Sequence, residues 1–298
     1  MDRIRELLID IKLIGKKVVT NSDFLSSIRR IYRSYASDYD FKKMQKKYLS
    51  SSFPEKIKEC KDIHAGKRCF IIGNGPSLNN EDLERIKDEF SFATNRVFLI
   101  FDKTSWRPTY WMCQDRQILR SVTDLYQSYK GNMFLGYHAL YDYGINLSNA
   151  NYYLCNAKQY KARKKELDFS DEVDKFVIDG GSVTYSCIQM AVYMGFKKIY
   201  LLGVDHNFSR TLDKNLRIVE HNEVKNDYFD EKYKDIFKKF EEKGKVYAAP
   251  DSEMITHAFE AAKKYCDAHD VEIFNATRGG KLEVFTRVKF DDIMEGYK

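Results

Sequence analysis

Proline and glycine are scarce, with 4 and 15 copies in 298 residues. So few chain breakers exclude a loop-dominated or linker-like chain and predict regular secondary structure. No apolar run is long enough to cross a bilayer, and the first residues show no secretory leader pattern, so a cytoplasmic protein is expected. None of the six cysteines (Cys60, Cys69, Cys113, Cys155, Cys187 and Cys266) has C-x-x-C spacing. A zinc ribbon and a dithiol redox centre are thereby excluded, and reduced thiols, mostly in apolar runs, remain. Phosphate signatures are incomplete too. No Walker lysine follows a glycine loop, and Leu78 stands where the third glycine of G-x-G-x-x-G would fall. The strand ends carry no D-x-D motif, which favours chemistry without a metal ion.

What the chain does have is aromatic and charged. It holds 21 Tyr and 20 Phe, enough to argue for a packed core rather than disorder. The net charge of +6 is unevenly placed. Residues 1–59 contain 14 Lys and Arg against 8 Asp and Glu, and the rest of the chain balances. A basic helical arm over 1–59 and a main domain over 60–298 follow, and nucleic acid is not an expected partner. In the arm, Ile4, Leu7, Leu8, Ile11 and Ile14 recur at helical spacing, and Phe41 to Tyr48 carries four lysines. Such an arm suits peripheral contact with an anionic membrane at its inner face. Packing on the core, or on a second subunit of a homo-oligomer, is the plainer alternative, and the pattern leaves both open.

From Lys67 onward, strand and helix alternate. Strands are predicted over 68–72, 91–95, 109–113, 132–136, 151–155, 175–178, 198–202 and 271–274. Helices are predicted over 80–88, 116–128, 183–195 and 252–268. The rhythm, with apolar strand cores, predicts an α/β fold: a mainly parallel sheet with helices on both faces. Ligands of such sheets collect beyond the carboxyl ends of the strands. Those ends are Gly73-Asn74-Gly75-Pro76-Ser77, Thr94-Asn95-Arg96, Cys113-Gln114-Asp115, Asp179-Gly180-Gly181-Ser182 before Val183-Thr184, Gly203-Val204-Asp205-His206-Asn207, and Asn275-Ala276-Thr277-Arg278. Glycine amides, hydroxyls and side-chain amides of this kind suit a nucleoside and its phosphates, while each taken singly also suits an ordinary cap or turn. Between His206 and Pro250 the rhythm fails in a charged, tyrosine-bearing stretch that includes His221, Tyr228 and Tyr233. It reads as a lid-like insertion over the strand ends, 206–250, that binds the acceptor. Leu282 to Phe285 is expected to add an edge strand.

Three stretches together resemble a known family: Gly73-Asn74-Gly75-Pro76-Ser77-Leu78, the run from Lys197 to Asp205, and the close from Ile273 to Phe285. They are similar to the domain named after the MptE 6-hydroxymethylpterin pyrophosphokinase. The first two, with Thr94-Asn95-Arg96 and the Gly181-Ser182 turn, also resemble the bacterial lipooligosaccharide sialyltransferases. The resemblance covers about residues 67–290 and implies a Rossmann-like enzyme using a cytidine nucleotide, CMP-sialic acid or a related nonulosonate. It implies nucleotide contacts from Gly73, Asn74, Gly75, Pro76, Ser77 and Asn95, and from Gly181, Ser182 and Thr184 opposite. Gln114 and Asp115 would lie near the donor sugar or its phosphate, with Asn207, Asn275, Thr277 and Arg278 nearby.

Two departures shift the search for a catalytic base. The sialyltransferases place a tyrosine shortly after the Gly-x-Asp strand end, where Asn207 stands here. Their histidine before the last long helix is matched here by Pro250-Asp251. His206 and His221 become the candidate bases, with Asp205 and Asp115 as carboxylate alternatives. The expected function is transfer of a sugar from a CMP-activated donor to a glycan or lipid-linked glycan acceptor, with no cofactor. The alternatives are a pyrophosphokinase moving diphosphate from ATP, with Mg held by Asp115 and Asp205, and a non-catalytic nucleotide-sugar-binding protein.

Overall fold

The computed structural model describes residues 39–121, 128–158, 166–235 and 249–296. The chain divides into two units, Met1–Lys46 and Lys47–Lys298. Most of the first, and with it most of the expected arm, lies outside the described residues. Residues 39–49 are helical, as the pattern from Phe41 predicts. Helix α1 (Phe53–Lys58) starts on a proline and carries Glu55 in its first turn and two lysines in its last, complementing the helix dipole. It buries Ile57 in the main core and sets Phe53 edge-on to Tyr152, with ring centroids 4.9 Å apart. Residues 47–59, assigned to the arm on charge, therefore belong to the second unit.

Eight strands form one sheet in which every pairing is parallel. They are β1 (Arg68–Ile72), β2 (Ser91–Thr94), β3 (Tyr110–Cys113), β4 (Asn132–Gly136), β5 (Ala150–Tyr153), β8 (Lys198–Leu202), β11 (Glu272–Asn275) and β12 (Thr286–Arg287). The order is β12-β11-β8-β1-β2-β3-β4-β5. From β1 the chain winds outward to β5, then returns to place β8 on β1's other side, as in a doubly wound Rossmann-like fold. Buried on both faces, β1 reads as a continuous apolar run rather than an alternation. Phe70, Tyr200 and Phe274 stack in register across β1, β8 and β11 on one face, with centroids 5.3 and 5.4 Å apart. Phe290 of α7 (Phe290–Glu295) meets Phe70 there.

Ile71, Phe92, Ile199 and Leu201 point to the other face, into the cluster shared with α5 (Val183–Tyr193) and α6 (Ser252–Ala268). Helix α5 is apolar nearly all round because it lies between the sheet and α6. Its one long polar residue, Gln189, is fully buried. Gln189 Oε1 accepts from the amides of Ile178 and Ser170, and its Nε2 donates to the Ile178 carbonyl. A side chain thus takes the place of a neighbouring strand. This is why the strand expected at 175–178 shrinks to β7 (Val177–Ile178), which pairs with β6 (Cys155–Asn156) outside the main sheet. The edge strand expected at 282–285 falls instead at 286–287, because Leu282 and Phe285 anchor their segment in the core. Within 206–250, β9 (Arg210–Leu212) and β10 (Ile218–Glu220) form an antiparallel hairpin, followed by a 3-10 turn at Glu231–Lys234. Residues 236–248 of this segment lie outside the described residues.

Candidate functional site

The winding direction reverses between β1 and β8, and their registered ends, Ile72 and Leu202, lead into two touching turns. The Gly73 amide donates to Leu202 O and the Gly75 amide to Gly203 O, each at 2.8 Å. A Cβ on Gly73 would overlap the Gly203 carbonyl, and one on Gly75 would overlap the Asp205 carboxylate. Glycine is therefore fixed at both positions by close backbone approach. Pro76 sets the turn that Leu78 N closes onto Gly75 O. Ser77 Oγ donates to Asp205 Oδ2 at 2.7 Å. The donors this turn offers in sequence are thus largely taken within the chain, and a carboxylate occupies the anion position. Asp205 is buried, and burial raises its pKa despite the Ser77 hydrogen bonds.

One strand over, at the β1/β2 end, Thr94 Oγ1 donates to Ile72 O and so must accept from Asn74. Asn74 Nδ2 reaches both Thr94 Oγ1, at 2.8 Å, and Thr94 O, at 3.0 Å. That fixes the amide and turns Asn74 Oδ1 away from Thr94. Asn95 sits at φ +50°, its carbonyl accepting from Trp111 Nε1. Among the described residues neither Asn74 Oδ1 nor Asn95 Oδ1 has a hydrogen-bond donor, though both are buried. Arg96 reaches across to the carbonyls of Lys232 and Tyr233, and Phe229 N donates to Asn74 O. Lys103 pairs with Asp230. Residues 229–233 are thereby fastened along this rim, with Tyr228 and Tyr233 stacked at 3.9 Å.

At the β3 end, Gln114 Oε1 accepts from Tyr153 OH at 2.9 Å and Ser186 Oγ at 2.7 Å. Its amide nitrogen is left facing Asp179 Oδ1 at 3.4 Å. Asp179 also holds the Gly181 amide, and Ser182 caps α5 by accepting from Thr184 N. Gln114, Asp179, Gly181, Ser182 and Thr184 thus form one connected wall. Asp115 caps α3 (Arg116–Ser121), accepting from the amides of Gln117 and Ile118. Asp115 and Asp205 are held by separate partners. No group of three His, Cys, Asp or Glu side chains among the described residues is placed to hold a metal ion.

The two histidines stand apart. His206, at φ +50° after Asp205, turns toward α6, and its Nε2 lies 2.9 Å from Thr256 Oγ1. Thr256 donates to Ser252 O, so it accepts from His206. The proton therefore sits on Nε2 and the lone pair on Nδ1. Burial lowers this pKa to about 4, keeping the ring neutral. His221 lies at the base of the hairpin, with Nε2 2.9 Å from Thr211 Oγ1. Asn207 is half-buried beside His206. Asn275 bonds Leu282 O and Thr277 N, and Thr277 Oγ1 accepts from Val204 N. Asn275 orders its own loop, and Thr277 ties that loop to the end of β8. Arg278 makes a two-pronged pair with buried Asp82 and reaches Asp291.

Sequence reading did not single out the Gln114 supports Tyr153 and Ser186, nor His138. His138 is buried, its pKa lowered to about 3 by burial and by the Arg116 charge. All three are isolated polar residues in apolar context, a pattern visible in sequence but equally common in ordinary cores. No helix among the described residues is long and apolar enough to cross a membrane.

Two similar solved structures are a Maf-type glycosyltransferase from Magnetospirillum magneticum AMB-1 and the sialyltransferase CstII from Campylobacter jejuni. The first is 14% identical, with a TM-score of 0.46, over 80% of this chain and 37% of that protein. The second, in complex with cytidine-5'-monophosphate, is 16% identical, with a TM-score of 0.35, over 75% of this chain and 85% of that protein. This chain thus spans little more than a third of the Magnetospirillum protein. No curated protein matches. The profile of the MptE-like family, described as 6-hydroxymethylpterin diphosphokinase MptE-like, matches residues 40–211, over half the chain. On that match, the chain belongs to the MptE-like family.

Proposed function

We propose that this protein is a glycosyltransferase that moves a sialic-acid-like nonulosonate from a CMP-activated donor to a glycan acceptor, without a metal ion. The observation that carries the reading is the pair of buried, donorless carbonyl oxygens, Asn74 Oδ1 and Asn95 Oδ1, at the β1/β2 end. A buried acceptor left unpaired is costly, and an amine or hydroxyl of a nucleoside would relieve it. Gly73, Asn74, Gly75, Pro76, Ser77 and Asn95 form that wall, and Gly181, Ser182 and Thr184 face it at the α5 N-terminus, where the helix dipole suits a phosphate. Gln114, whose Oε1 is held by Tyr153 and Ser186 and whose Nε2 carries a second hydrogen besides the one directed to Asp179, donates toward the leaving phosphate. The neutral His206, with its Nδ1 lone pair, takes the proton of the attacking acceptor hydroxyl, and residues 206–250 receive the acceptor. His221, Asp205 and Asp115 remain the rival bases. Diphosphate transfer from ATP with magnesium is the second reading, favoured by the family profile.

Calorimetry with CMP, CDP, UDP, ATP and NAD, with and without magnesium, separates the two. Metal-independent binding of CMP, and turnover of a CMP-sugar that His206→Ala lowers at least roughly a hundredfold, is the expected result. Binding of ATP alone, and only with magnesium, would overturn it in favour of the pyrophosphokinase. CMP binding without turnover of any CMP-sugar leaves a non-catalytic nucleotide-sugar-binding protein.

A further inference from the structure

The hairpin β9–β10 exposes what soluble surfaces usually hide. Leu216 is 59% exposed, Ile218 42% and Val219 40%, within four residues of one another. Ile218 and Val219 point to opposite faces of a two-stranded ribbon, so no single neighbouring surface within the fold would cover both. Leu216 has a φ of +62°, in the left-handed region that glycine and asparagine occupy at far lower cost. An apolar side chain is thus both exposed and strained at a turn, a combination that points to a role outside the fold.

We propose that this hairpin tip inserts into an anionic lipid bilayer. Lys214 and Arg217 flank Leu216 and are exposed, placed to meet lipid phosphates while Leu216, Ile218 and Val219 enter the headgroup layer. Asp213, the carboxylate of the turn, accepts from the amides of Asn215 and Arg217, which disperse its charge. A second copy of the chain is the poorer occupant. The free edge of β10 is three residues long, far short of the roughly 800 Å² per partner that a stable interface buries. Shallow insertion needs only a few side chains.

The hairpin is anchored beside the strand ends at both ends of β9: Leu212 N, next to the turn, donates to Pro250 O just before α6, and Ser209, at the base, is held by Asp227. A bilayer engaged at the tip would lie on the strand-end side of the molecule. Resting on the transferase reading, this narrows the acceptor to one carried by a membrane lipid.

The test is co-sedimentation of the full chain with vesicles of phosphatidylcholine alone and of phosphatidylcholine with 30% phosphatidylglycerol. Binding to the anionic vesicles is expected to fall roughly tenfold for Leu216→Asn. For Lys214→Glu combined with Arg217→Glu it should fall by roughly 25-fold or more. Because asparagine tolerates the turn geometry, Leu216→Asn should melt at the same temperature or higher, which separates lost binding from lost folding. Anionic-vesicle binding that is absent in the natural sequence, or equal in both variants, overturns the proposal; so does vesicle-free self-association that Leu216→Asn abolishes. CMP calorimetry is independent of all these outcomes, so the transferase reading stands or falls separately.

Discussion

At the scale of single residues, the strand ends combine glycines fixed by contact with carboxylate and imidazole groups pushed away from their usual protonation. Gly75 and Asp205 illustrate both. A methyl on Gly75 collides with the Asp205 carboxylate, so Gly75→Ala should destabilise the fold by about 3 kcal/mol. Combined with Asp205→Ala, the same change should cost at least about 1 kcal/mol less than the sum of the two alone, measured by denaturant unfolding of all four species. His206 gives a pH dependence whose sign is fixed by burial. Its folded pKa of about 4 lies below the unfolded value near 6.5, so the unfolded chain binds the proton first. Its contribution is complete above pH 6.5 and falls as pH drops toward 4, by about 3 kcal/mol at most. His206→Gln should flatten that part of the stability profile, and an unchanged slope between pH 6.5 and 4 would contradict the placement of the ring. The glycines were legible in sequence because a turn demands them. The contact of Gly75 with Asp205 was not, since residues 75 and 205 meet only through strand pairing.

Among the elements, the segment after β8 changes the picture most. Sequence showed only that the strand–helix rhythm stops at His206 and that tyrosines follow. The structure resolves this into a hairpin and a rim-crossing stretch fastened by Arg96, by Lys103 with Asp230, and by Phe229 on Asn74. Arg96 holds two carbonyls with one nitrogen and lies against the Tyr233 ring, 5.3 Å from its centroid. Arg96→Ala should release the stretch, seen as several-fold faster proteolysis and amide exchange over 228–235, with the melting temperature nearly unchanged. Arg96→Lys should rescue little, because an ammonium stacks poorly on the Tyr233 ring. The strands expected over 175–178 and 282–285 illustrate a limit of apolar pattern. Apolar period identifies a buried segment, but whether it pairs with a strand, or with a glutamine such as Gln189, is decided by tertiary contact.

On the scale of the whole molecule, the parallel sheet was foreseeable in kind from alternation, though not its strand order, and the five named strand ends that belong to it lie at one edge, while the Asp179–Ser182 turn follows β7 outside it. The extent of the core toward the N-terminus was less legible: charge alone grouped residues up to 59 with the arm, whereas Ile57 packs into the main core and Phe53 against Tyr152. The two halves of the sheet are also tied by ion pairs. Arg278, following β11, holds Asp82 at the start of α2 (Asn80–Arg85) and Asp291 at the start of α7. Asp82 is 3% exposed, so Arg278→Met leaves a buried carboxylate with only Asn79 beside it. Thermal unfolding should register a loss of about 2 kcal/mol, less than for a fully buried pair because the guanidinium is half exposed.

The pairing of Arg68 with Lys198 has a consequence for how the protein is made. β1 leaves the ribosome 130 residues before its neighbour on one side is synthesised. At roughly 5–20 residues per second, its edge waits roughly 6 to 26 seconds for β8. The outward run from β1 to β5 can assemble during that interval, but the crevice between Gly73 and Gly203 cannot exist until the second half arrives. Newly made chains would therefore acquire their sheet before their strand-end crevice, and a nascent chain stalled before residue 198 would present β1 as an open, apolar edge to chaperones or to other chains.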